Sequence, residues 1–156
     1  MSAVILRVLM QSQVINNEQA ERYQRVLKDQ KDIVPMLFDD KVINPKSLAE
    51  LLARVFSYPL LDLTYYPRSN IVSDVISEDQ MQANQCVPIF KRGNKVYLAV
   101  SDPTKIQDYQ KIAFSSGYNV DLVVVRHDQL ATLVEWLAQR STSILKEMSQ
   151  EQLEIA

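Results

Sequence analysis

Few side chains in this 156-residue sequence are of the types that perform covalent or metal chemistry. The single histidine, His127, could serve as a base toward a nucleophile such as Cys86 or a serine. Nothing flanking it resembles a catalytic signature, and its place reads as the start of a helix. The single cysteine, Cys86, heads the run CVPIF and reads as a small buried apolar group. One cysteine makes neither an internal disulfide nor a cysteine zinc site, so the sequence reads as intracellular, with a reduced thiol. One histidine cannot supply the HExxH pair of a zinc protease. The pair Asp39 and Asp40 could hold a hard cation, but further oxygen ligands are not evident, and a solvated loop is the simpler reading. Nucleotide hydrolysis by a phosphate loop needs a glycine-rich turn followed by Lys and Ser or Thr. The two glycines, Gly93 and Gly117, precede no such pair. The residues therefore assign no catalytic site, no metal site and no cofactor to this chain.

Two groups suit binding rather than catalysis. Arg22 and Arg25 stand one helical turn apart and could present two guanidinium forks to a carboxylate or phosphate on a partner. Arg7, Lys28 and Lys31 complete a loosely basic set, while Glu18 and Glu21 lie at helical pairing distances from the two arginines and predict an internally balanced face. Tyr58, Tyr65 and Tyr66 cluster around a proline-rich break, where they could dock a partner or pack two subdomains together.

The elements that must carry these groups follow from pattern. With 47% apolar residues and a formal net charge of −2 in interspersed charges, the chain can bury a substantial core and presents no basic face for nucleic acid. No window approaches the length of a membrane span, and the first residues lack the parts of an export signal. An internal repeat is the most informative feature: residues 9–20, LMQSQVINNEQA, superpose on 37–48, LFDDKVINPKSL, at an offset of 28. Each unit predicts a short apolar helix, a turn, the pair Val-Ile and a second helix. Asn16 with Gln19 forms the start signal of one, and Asn44 with Pro45 that of the other. The second helix continues through Leu48, Leu51, Leu52, Val55 and Phe56 on one stripe.

Prolines at 59 and 67 break the helical period, and a subdomain boundary is expected there. Ser77 and Gln80 then open a short helix. VPIF and KVYLAV flank residues 91–94, a four-residue turn closing a hairpin. Asp102 and Pro103 start a helix of about a dozen residues that ends before Gly117. The run VDLVVV at 120–125 predicts a strand covered on both faces, parallel to one hairpin strand through a right-handed crossover. A last helix from about His127 carries Leu130, Leu133, Val134 and Leu137. The expected fold is α+β: tandem helical hairpins over 1–56, a small mixed three-stranded sheet packed with helices over 57–140, and a linker or terminal helix over 141–156.

The stretch from Leu9 to Gln139 resembles the N-terminal region of the secretion and pilus-assembly traffic ATPases, especially the extension ATPases of type IV pili. The doubled Val-Ile-Asn hairpins, ARVFSYPLLDL at 53–63 and VPIFKRGNKVYLAVSDP at 87–103 carry the resemblance. It implies a non-catalytic docking and regulatory part of a homohexameric motor, in the cytoplasm and peripheral to the inner membrane. The ATP- and magnesium-binding core would lie elsewhere in a longer parent, and a glycine-rich phosphate loop beyond Ala156 would identify that parent as a motor. The implied partner is an actin-like cytoplasmic pilus protein or the inner-membrane platform protein. A type II secretion ATPase is the alternative parent.

Some members of the family bind cyclic di-GMP through a tandem motif spaced like this repeat, with an Arg-Leu-Gly opening and a later glycine. Aligned on Ile15 and Ile43, those openings fall on Val4-Ile5-Leu6 and Asp32-Ile33-Val34, and the later glycines on Gln13 and Lys41. A Cβ in place of glycine obstructs approach of backbone amides to a ligand, and Asp32 puts a carboxylate where a cation should meet phosphate. The resemblance implies Arg7, Leu9, Met10, Leu37 and Phe38 as contacts in this alternative, regulatory reading.

Overall fold

The computed structural model describes residues 2–155, apart from the side chains of residues 2, 141–146 and 150–155. Four helices form the first part: α1 (Ser2–Gln11), α2 (Asn17–Lys28), α3 (Val34–Asp39) and α4 (Pro45–Phe56). The start signals act as the sequence implies. Asn16 caps α2 by accepting from the Gln19 N–H while Gln19 reaches back to the Asn16 N–H, and Asn44 caps α4 by accepting from the Ser47 N–H. Ile5, Leu9, Tyr23, Leu37 and Leu52 pack together in a core of their own.

Residues 57–76 are irregular, with two short 3-10 turns at Leu63–Tyr65 and Arg68–Asn70. This segment touches both edges of the sheet. Leu60 bridges Val124, the Val72 N–H donates to the Pro88 carbonyl, and the Tyr66 hydroxyl donates to the Ile89 carbonyl. After α5 (Glu78–Asn84), opened by the Ser77–Gln80 capping box, come β1 (Cys86–Arg92) and β2 (Lys95–Val100). The turn between them has two residues, not four, because Gly93 takes φ +62 and lets Arg92 pair directly with Lys95. Pro88 sits in the edge strand β1 beside an irregularity between Pro88 and Phe90, where its missing N–H costs no interior ladder bond.

The predicted helix after Asp102 begins with a 3-10 turn at Pro103–Lys105 before α6 (Ile106–Phe114). Asp102 caps the tighter turn by accepting from the Thr104 N–H. β3 (Asn119–Val124) is parallel to β2, and the strand order is β1-β2-β3. β3 is therefore an edge strand, and Val120, Asp121 and Val123 keep partial exposure instead of being covered on both faces. The helix α7 (His127–Ile155) runs without a break through residues 141–155. Its Leu130, Leu133, Val134 and Leu137 join Cys86, Val87, Leu98, Tyr109 and Leu122 in a second core.

A thin seam joins the two cores. Ala49 and Ala53 of α4 pack on Val124 of β3, with Tyr58 alongside, and the Phe38 ring lies 5.7 Å from His127. No helix among the described residues is long and apolar enough to cross a membrane.

Candidate functional site

The repeat is as regular in hydrogen bonding as in sequence. The N–H groups of Ser12, Gln13 and Val14 donate to the carbonyls of Val8, Met10 and Leu9, and those of Asp40, Lys41 and Val42 donate to Met36, Phe38 and Leu37. Every donor and acceptor is displaced by the same 28 positions. Gln13 (φ 58) and Lys41 (φ 57) both take the left-handed conformation, which disfavours residues with a Cβ. The turn geometry that suits glycine is thus kept at Gln13 and Lys41 alike.

The two units are tied together by Arg22. Its guanidinium pairs with Asp40 and lies over the Tyr23 ring, and the Tyr23 hydroxyl donates to the same carboxylate at 2.8 Å. Burial, then the hydrogen bond to Asp40, raises the Tyr23 pKa. This corrects the pairing expected from spacing, since Arg22 finds its carboxylate across the repeat, not at Glu18. It also accounts for Asp40, whose carboxylate is held by Arg22 and Tyr23. Arg25 is exposed, and no ion pair to it occurs among the described residues.

The other sequence-derived contacts do not share one open face. Leu9 and Leu37 are wholly buried in the helical core, Arg7 and Met10 are exposed, and Phe38 is half-buried at the seam. A ligand reaching Leu9 or Leu37 would have to open that core.

A cleft of about 350 Å³ lies at the seam, with Lys31, Asp32 and Val34 on the repeat side and Asp102, Lys105 and His127 on the sheet side. Much of its polar surface is already engaged. Asp32 accepts from the Val34 N–H, Asp102 from the Thr104 N–H, and the Asp102 carbonyl from the Tyr109 hydroxyl. His127 Nδ1 lies 3.0 Å from Ser101 Oγ. Burial lowers the His127 pKa, against the opposing effect of Asp32, Asp128 and Asp102, so the ring favours its neutral form.

The Ser101–His127 contact does not make an activated nucleophile. Among the described residues no carboxylate is hydrogen-bonded to the second ring nitrogen to orient the base. Cys86 is wholly buried, and burial pushes its thiol up to about 12, so it stays protonated as a core group. The cleft can offer the Lys31 and Lys105 ammonium groups to a small polar ligand. Residue spacing could not indicate this set, because residues 31–34 and 101–105 are brought together by the seam alone.

A protein-family model, the MshEN domain, matches residues 56–144, more than half of the chain. The type IV pilus assembly ATPase PilB of Acinetobacter baylyi is 32% identical over 133 residues, covering 85% of this chain and 23% of that protein. PilB of Pseudomonas aeruginosa is 27% identical over 149 residues, covering 95% of this chain and 26% of that protein. The chain thus spans about a quarter of the length of these curated relatives. Among solved structures, one of MshE with cdg superposes with a TM-score of 0.63 at 18% identity, covering 83% of this chain and 95% of that one. One of the N-terminal domain of XpsE gives 0.66 at 17% identity, covering 84% and 91%. Those two likenesses establish the fold: helices with a small mixed three-stranded sheet. With the family model spanning the sheet and most of its helices, and PilB aligned through the repeats as well, this chain belongs to the MshEN domain family and is homologous to the N-terminal region of type IV pilus assembly ATPases.

Proposed function

We propose that this domain docks a type IV pilus assembly motor to its base and hydrolyses nothing itself. One observation carries the reading. The chain matches PilB over 85% of its length while accounting for only 23% of that protein, and it holds no glycine-rich phosphate loop. In this reading the ATP- and magnesium-binding core belongs to the rest of a homohexameric parent. The domain works in the cytoplasm, peripheral to the inner membrane, and meets the actin-like cytoplasmic pilus protein or the cytoplasmic part of the platform protein. Its contribution is mechanical: two packed cores transmit force from the ring to the partner.

A second reading, regulation by cyclic di-GMP, is favoured by the kept left-handed turns at Gln13 and Lys41 and by the fold shared with MshE, whose structure holds cdg. Against it stand the absent Arg-Leu-Gly openings and the burial of Leu9 and Leu37. Isothermal titration of the domain with cyclic di-GMP, run beside titrations with the two pilus proteins, separates the readings. Heat from a protein partner and none from the nucleotide is the expected result. Near-micromolar nucleotide binding would instead assign the domain to signalling.

A further inference from the structure

The sheet ends, at the β1–β2 turn, in a surface where exposed aromatic rings lie near several cations. The Asn119 N–H donates to the Asn94 carbonyl at 2.7 Å, which fixes the loop between α6 and β3 beside the hairpin turn. Phe114, the last residue of α6, is 80% exposed there, and Phe90 is 53% exposed across the sheet against Tyr97. Between α6 and the start of β3 lies a shallow groove of about 540 Å³ formed by Gln107, Lys111, Phe114, Tyr118 and Val120 among others. Gln107, Lys111 and Phe114 share one helix face by their spacing.

An 80%-exposed phenylalanine contributes nothing to the core, and leaving its ring in water is unfavourable by about 25 cal/mol per Å² of apolar area. The charge here is also distinctive. Lys91, Arg92, Lys95 and Lys111 gather at this end with three carboxylates, Asp74 paired with Lys91, Asp121 paired with Lys95, and Asp108 one turn before Lys111 on α6. That leaves a positive end on a chain of formal net charge −2. No ion pair joins Arg92 or Lys111 among the described residues, and no carboxylate lines the groove. Lys91 Nζ lies over the Tyr118 ring, 5.6 Å from its centroid.

We infer that this groove is the docking surface for an acidic protein segment, with an apolar side chain of the partner seated against Phe114 and Tyr118 and its carboxylates facing Lys111 and Arg92. The inference rests on the docking reading above and adds to it the surface and the partner's chemistry. An exposed aromatic anchor at the centre and a cationic rim are the arrangement in which a few residues carry most of the binding energy. The rim charges mainly accelerate encounter and make it salt-dependent.

The test uses the whole domain as wild type, Phe114→Ser, Lys111→Glu and, on the exposed start of α4, Lys46→Glu, each checked for an unchanged melting temperature. Each is titrated against the cytoplasmic part of the platform protein and the actin-like pilus protein, and against vesicles of anionic and of zwitterionic lipid. Expected are about tenfold or greater weakening toward one protein for both groove variants, wild-type binding for Lys46→Glu, and no retention on vesicles. Wild-type binding that all variants keep overturns the placement and leaves the docking reading standing. Absence of binding by the wild type to either protein overturns both, and retention on anionic vesicles that Phe114→Ser abolishes reassigns the surface to lipid.

Discussion

His127 shows how one side chain joins the two parts of the molecule. Its ring meets Phe38 of α3 and the Ser101 hydroxyl, and it faces Asp32 from the repeat side, Asp102 and Lys105 from the sheet side, and Asp128 on its own helix. Burial favours the neutral ring and lowers the folded-state pKa below the ordinary value near 6.5. The unfolded chain then binds the proton more readily, so the stability due to neutral His127 is complete above about pH 6.5 and is lost as pH falls through the folded pKa. Because the sequence holds one histidine and ordinary carboxylates titrate near pH 4, the window from about pH 7 to 5 isolates this group. Urea denaturation across that window should show wild-type stability falling toward the acid side and a flatter profile for His127→Asn. Parallel profiles would remove His127 as the origin of the acid sensitivity. A reading that stopped at a residue near a helix start described His127 correctly in the chain but had no means of seeing Phe38, which lies 89 positions earlier in the sequence.

Among the elements, the repeat is where sequence and structure agree most closely, and the reason is local. Asparagine caps, a proline at N1 and a Val-Ile pair act within a few residues of themselves, so LMQSQVINNEQA and LFDDKVINPKSL lead to the same turns. The cost of departing from glycine is equally local. A residue with a Cβ in the left-handed region is disfavoured by about 1–2 kcal/mol, and glycine returns part of that through the greater freedom of the unfolded chain. Gln13→Gly and Lys41→Gly should therefore each stabilise the domain by about 0.5–1 kcal/mol in urea denaturation. Destabilisation by either would mean that its side chain contributes more than its strained backbone costs. The same locality explains what pattern missed. Burial of β3 depends on strand order, and the pairing of Arg22 with Asp40 depends on how the two units stack.

At the scale of the molecule, the balance between the cores and the seam decides how the domain unfolds. The sheet part has its own buried set, from Val75 through Leu137, and the helical part another, from Ile5 through Leu52. The seam between them has three buried residues, two of them alanines, and the Phe38–His127 contact. Alanine burial removes little apolar area, so the seam contributes far less stabilisation than either core. A chain of about 100 residues with one continuous core is large enough to fold alone. The fragment 57–156 should accordingly keep its helix and strand signals in circular dichroism and unfold in one cooperative transition, at a lower temperature than the whole domain because Val124 and His127 lose their cover. A broad, non-cooperative transition would show that the repeats complete the sheet core and that the two parts form one folding unit. With cooperative unfolding, the repeats can shift on the sheet without melting it, and a ligand in the 350 Å³ cleft, which has walls from both parts, would bias that motion.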